Sequence, residues 1–189
     1  MIGYKKSYPS YINKQFKSKK IDAAFISSIK SKNCNCLNLG IVAKNEVDSV
    51  LLLPGKQKKD FQSDTSNALA QILGLKGEVI IGDKALKKFY EDKNNSYIDL
   101  AKEWKKRYNL PFVFARFCVN KHYGYFKNLS DDFLSKKIYI PQYILKQYAN
   151  KTDLSVKQIE NYLKKISYKL EYREKKSLKL FLKKFSKFF

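Results

Sequence analysis

The sequence predicts a mixed α/β fold. Three observations predict it: short apolar runs bounded by turn residues, segments with apolar residues at helical spacing, and the alternation of the two along the chain. With 189 residues, 44% of them hydrophobic, the chain is long enough for one compact unit, or for two small lobes, with a buried core.

Pro9, Ser10 and the four-residue spacing of Ile12 and Phe16 predict a helix over 10–19 that Ser10 caps. Ala23-Ala24-Phe25-Ile26 predicts a short buried strand within 22–28. Residues 39–43 and 49–53 predict two more strands, the second ended by Pro54-Gly55. After a polar segment, Ser63 to Asn67 leads into a helix with Ala68, Leu69, Ile72 and Leu73 on one face. Gly74 is placed to end it. Residues 78–81 predict a strand closed by Gly82-Asp83, and 84–90 a helix that Asp83 caps. A helix over 98–108 turns Leu100, Ala101 and Trp104 inward, and Asn109-Leu110-Pro111 breaks it. Residues 112–119 predict an apolar strand interrupted by Arg116. From Ile140 onward the pattern is helical. One stripe is Ile159, Tyr162, Leu163, Ile166 and Leu170; a second is Leu178, Leu182 and Phe185. These basic amphipathic segments are expected to pack on their own domain and not on a membrane surface.

Composition narrows the class. No run reaches the roughly 18 apolar residues of a membrane span, and no signal pattern opens the chain, which predicts a cytoplasmic protein without a membrane span. Cys34, Cys36 and Cys118 are an odd set with two members one residue apart, and His122, in a polar surface stretch, is the single histidine. That predicts reduced thiols, no disulfide framework and no metal site. The charge is large, +22 from 39 Lys and Arg against 17 Asp and Glu. Only Arg107, Arg116 and Arg173 are arginines, and the lysines are spread along the chain. Bidentate contacts to bases and phosphates favour arginine, so no specific nucleic-acid partner is expected. A positive field can still steer an anionic substrate.

Three polar clusters stand where α/β proteins hold ligands: Ser27-Ser28 at a strand end, Ser63 to Asn67 at a helix start, and Gly82-Asp83 at a strand end before a helix. Helix N-termini present free N–H groups and partial positive charge, which suits a carboxylate, and Thr65 and Ser66 add hydroxyls. Each cluster taken singly also reads as an ordinary helix cap. No Gly-rich run followed by Lys and Ser or Thr marks a phosphate loop.

The order of these segments resembles a known family. Pro9-Ser10-Tyr11-Ile12-Asn13, Ile21 to Ser28, Asp48-Ser49-Val50-Leu51-Leu52, Asp64-Thr65-Ser66-Asn67-Ala68-Leu69 and Ile80 to Leu86 are similar to blocks of the chorismate dehydratases of the futalosine route to menaquinone. Tyr97 to Trp104 followed by Leu110-Pro111-Phe112-Val113-Phe114-Ala115 is the most specific match. The resemblance implies a two-lobed, periplasmic-binding-protein-like (type II) fold with a helical C-terminal tail. Its first lobe would be 1–47 plus 116–189 and its second 48–115. It implies a lyase that removes water from chorismate to give 3-[(1-carboxyvinyl)oxy]benzoate, with no metal or organic cofactor. Ser27 and Ser28 would line a cleft from the first lobe, Thr65, Ser66 and Asn67 would meet a carboxylate from the second, and Gly82 with Asp83 would close the wall.

The opening departs from the family's pattern. Relatives carry an Asn in a motif of the type Ile-Gly-Tyr-x-Asn-Ser-x-Pro. In Met1-Ile2-Gly3-Tyr4-Lys5-Lys6-Ser7-Tyr8-Pro9, either Lys6 takes the Asn position or Tyr4 to Pro9 belongs to the later Pro-Ser block. Both alignments lack the Asn and leave the first lobe short of a strand and a helix. The catalytic base is therefore unassigned. A non-catalytic carboxylate-binding protein of the same fold is the alternative expectation.

Overall fold

The structure is a computed structural model and describes residues 3–188; Met1 and Ile2 of the opening motif and Phe189 at the C-terminus lie outside the described residues. Eight α-helices and two sheets are built from them. The first sheet has the order β1 (Ala23–Ser27), β6 (Phe112–Val119), β2 (Cys36–Ala43), β7 (Ile166–Lys169). The second has the order β4 (Gly77–Ile81), β3 (Val50–Pro54), β5 (Ile98–Asp99). Every pairing between these strands is antiparallel.

The apolar runs form strands because both faces have something to cover. Leu51 and Leu52 in β3 are both buried, one against Ile80 and Ala85, the other in the main core. Gly40 in β2 is a steric requirement: a Cβ there would lie 2.6 Å from the Ala115 carbonyl of the paired strand.

The helices follow their local signals with some exceptions. In α2 (Asp64–Ile72), the Ser63 hydroxyl accepts the Ser66 N–H at 3.2 Å. In α4 (Leu100–Tyr108), Asp99 accepts the Lys102 N–H at 3.0 Å, and Asn109 ends the helix in the left-handed region. In α7 (Val156–Lys164), Ser155 and Gln158 form a capping box. By contrast, α1 (Pro9–Lys17) begins at its proline, with Tyr8 and not Ser10 at the cap position. In α3 (Gly82–Glu91), Asp83 lies inside the first turn and caps nothing. Its carboxylate reaches Lys151 of α6 (Gln142–Thr152) instead, at 2.9 Å.

Two expectations are corrected. The C-terminal region is not all helix: Ile166–Lys169 pairs with β2, because Ile166 and Ser167 find free backbone groups opposite Ala43 and Val42. The helical stripe from Ile159 to Leu170 is thus divided between α7, β7 and the turn after it. His122 is exposed, and α5 (Tyr123–Ser135) starts immediately after it. Finally, Cys36 and Cys118 oppose each other across β2 and β6 and are joined as a disulfide, leaving Cys34 as the free thiol.

The two sheets meet through helices. Trp104 of α4 is fully buried, packs edge-to-face on Phe112 of β6 and on Phe181 of α8 (Tyr172–Phe188), and donates its indole N–H to Ser177 Oγ at 2.9 Å. Ala43, Leu52, Leu69, Val79 and Leu100 complete the same core. Among the described residues no helix is long and apolar enough to cross a membrane.

Candidate functional site

Ser27 ends β1 and Ser28 opens a single 3-10 turn over Ser28–Lys30. Both serines are buried. The side-chain amide of Asn13 on α1 accepts the Ser27 N–H at 3.1 Å and donates to Ser27 Oγ at 2.8 Å. Because Ser27 Oγ is the acceptor in that second bond, its own proton is left to donate elsewhere. Ser28 Oγ donates to the Val113 carbonyl at 2.5 Å, so its proton is committed to holding the turn on β6.

The N-terminus of α2 lies beside this turn. Lys30 and Asp64 form an ion pair at 3.4 Å between them. Ser66 shares a 2.8 Å hydrogen bond with Ser63, and the Asn67 side chain bonds the backbone of Asp60 in both directions, at 2.9 and 2.6 Å. Thr65 differs from its neighbours. Its hydroxyl is buried and has no hydrogen-bond partner among the described residues. A buried hydroxyl without a partner is costly to keep. The first N–H groups of α2, at Asp64 and Thr65, point out of the helix for the same reason of geometry.

Gly82 and Asp83, the third predicted cluster, are held by other partners. Gly82 takes a left-handed backbone (φ 65°) and donates its N–H to the Ser49 carbonyl at 2.8 Å. Asp83 is exposed and faces Lys151. The structure therefore sets the Ser28–Lys30 turn beside the start of α2, turns the Asn67 side chain to Asp60, and ties Gly82-Asp83 to the segment between β2 and β3 and to α6.

That linking segment carries a charge cluster that sequence reasoning missed. Lys165, between α7 and β7, bonds Glu46 at 2.7 Å and Asp48 at 2.8 Å. Asp99 accepts the N–H groups of Val47 and Asp48 at 2.9 and 2.7 Å while capping α4. Burial pushes the Asp48 and Asp99 carboxyls up against the pull of those bonds. The hydrogen bond from Lys165 holds Glu46 down. For Lys165, burial works against its charge but the bonds to Asp48 and Glu46 outweigh it, and its pKa stands raised. Spacing gave no clue to this cluster, since Lys165 lies 117 residues from Asp48. Asn13 was visible only as part of a family-like block, without its bond to Ser27. Among the described residues no three His, Cys, Asp or Glu side chains gather as a metal site.

The fold is that of a two-sheet α/β protein, with hydroxyls and helix N–H groups where α2 begins beside the Ser28–Lys30 turn. Comparison with known proteins gives the family. Residues 64–187 match the protein family described as menaquinone biosynthesis. The chorismate dehydratase of Campylobacter jejuni is 47% identical over 185 residues, which is 95% of this chain and 82% of that protein. Protein AF1704 of Archaeoglobus fulgidus shares the fold, with a TM-score of 0.55 at 12% identity over 96% of this chain and 83% of that one. The chain belongs to the chorismate dehydratase family of menaquinone biosynthesis.

Proposed function

We propose that this chain dehydrates chorismate to 3-[(1-carboxyvinyl)oxy]benzoate and that the junction of β1 with α2 holds one of the substrate's two carboxylates. The observation that carries the site is the buried, unpartnered Thr65 hydroxyl at a helix N-terminus. In this reading the Thr65 hydroxyl and the first N–H groups of α2 meet the carboxylate, and the free Ser27 proton adds a donor from the other side. Ser28, Ser66 and Asn67 hold the donors in place through Val113, Ser63 and Asp60. Lys30 keeps the Asp64 carboxylate drawn aside, where it would otherwise repel the substrate. Gly82 and Asp83, held by Ser49 and Lys151, take no part in this carboxylate contact.

The reaction breaks one ring C–H and one ring C–O bond and releases water, leaving an aromatic ring. A base must take the proton, and the departing hydroxyl needs a proton or donors. No residue of the junction is assigned as the base, and the substrate's second carboxylate takes that role in this proposal. No cofactor takes part.

The two-lobed, type II binding-protein arrangement belongs to the same proposal. Its support is the division of strands: β1, β2, β6 and β7 form one sheet and β3, β4 and β5 the other, as lobes of 1–47 plus 116–189 and of 48–115 require. The boundary at 115–116 falls inside β6 and is better set before Phe112. A cytoplasmic location and a lack of specific nucleic-acid partners complete the reading.

The test is turnover. Purified protein incubated with chorismate is expected to yield the enolpyruvyl benzoate, read by liquid chromatography and mass spectrometry. Chorismate that binds in calorimetry but emerges unchanged would replace the enzyme with a carboxylate-binding protein.

A further inference from the structure

A cavity of about 620 Å³ opens between the outer end of the first sheet and α8, away from the β1–α2 junction. Its size lies in the roughly 300–1,000 Å³ range of small-molecule sites. Leu37, Leu170 and Leu178 are buried in its walls. Around them stand Lys32, Arg116, Lys175, Lys179 and Lys183, and no acidic residue lines it.

The cations around this cavity have no acidic partner beside them. Four lysines elsewhere are answered four residues along or back: Lys87 by Glu91, Lys88 by Asp92, Lys127 by Asp131 and Lys136 by Asp132. On α8, residues 175, 179 and 183 repeat the same spacing with lysine each time, so like charges stack along one face of the helix. None of these three, nor Lys32 or Arg116, forms an ion pair among the described residues. Arg116 is half-buried, and its guanidinium donates to the Ser31 carbonyl, a neutral partner. Lys32, Lys175, Lys179 and Lys183 are exposed around the half-buried Arg116, and five cations grouped with no carboxylate among them attract an anion.

We propose that this cavity is a second ligand site, for an organic anion with an apolar body and a carboxylate head. The leucines would cover the body, and the ring of cations would hold the head. A bare inorganic anion leaves the apolar walls wet, and an uncharged apolar molecule leaves the cations unanswered. The site is independent of the dehydratase reading, because none of its residues belongs to the β1–α2 junction.

Decanoate is the probe, titrated into the full chain by calorimetry, with acetate, decanol and an oligoadenylate RNA in parallel. Decanoate is expected to bind with a Kd below about 1 mM, roughly tenfold or more tighter than acetate or decanol, and more weakly at high salt. Lys179→Glu with Lys183→Glu, and separately Lys32→Glu in an exposed turn, should each weaken decanoate roughly tenfold without shifting the thermal melt or chorismate turnover. The proposal is overturned if decanoate binds no tighter than acetate or if both folded variants bind it as the parent does. Displacement of decanoate by chorismate would make the cavity the substrate site instead. Displacement by the RNA would make it a nucleic-acid surface.

Discussion

Asn13 grips Ser27 twice, accepting its N–H at 3.1 Å and donating to its hydroxyl at 2.8 Å. One side chain on α1 thereby sets both the end of β1 and the direction of the remaining Ser27 proton. Asn13→Ala would leave two buried groups without partners and should lower stability by about 1–3 kcal/mol. Asn13→Asp keeps an acceptor for the N–H, and the Ser27 hydroxyl can turn round to donate. Its melt should stay near the parent's while the new charge raises KM for chorismate. An unchanged KM in a folded Asn13→Asp protein would separate Ser27 from the substrate.

Lys165 and the buried Asp48 form the next testable pair. Lys165→Met would strand the Asp48 carboxylate and should cost about 2–3 kcal/mol at neutral pH, the scale of a lost hydrogen bond to a charged group. The pH dependence has a definite sign. Burial already raises the Asp48 pKa above its ordinary value of 3.8, and loss of Lys165 raises it further. A carboxyl with a raised folded pKa loses stability as pH rises through that pKa and recovers it on acidification. The deficit should therefore shrink between neutral pH and about pH 4, measured by denaturant midpoints for both proteins. A deficit that is constant across that range would place the pair outside the folding balance.

Cys36 and Cys118 make a third prediction. Alkylation of the denatured, unreduced protein should modify Cys34 alone, and reduction should expose all three cysteines to the reagent. Intact mass spectrometry reads the difference directly. Three modified thiols before reduction would mean that the pair is open in the isolated protein.

How much of this was legible in the sequence depended on distance along the chain. The strands β1, β3 and β6 were readable because each is an apolar run bounded by turn residues, and α2 because Ser63 caps it. β7 was not. Ile166 and Leu170 continue the apolar spacing of α7, and only pairing with Val42 and Ala43, more than a hundred residues earlier, draws Ile166-Ser167 into a sheet. The disulfide has the same origin, since Cys36 and Cys118 are 82 residues apart and meet only when β2 and β6 align. At the site, the hydroxyl residues were visible as residue types at element ends. Which of them keeps a free donor was not, because Ser28 spends its proton on Val113 and Ser66 shares a hydrogen bond with Ser63, while Thr65 has no partner among the described residues.

Thr65→Val offers the most direct test of the proposed site. Valine keeps the shape and removes the buried hydroxyl that has no partner among the described residues. Stability should hold or rise by about 1 kcal/mol, while KM for chorismate rises about tenfold. A lower melting temperature with KM unchanged would contradict the account, because the hydroxyl would then be serving the fold and not the substrate.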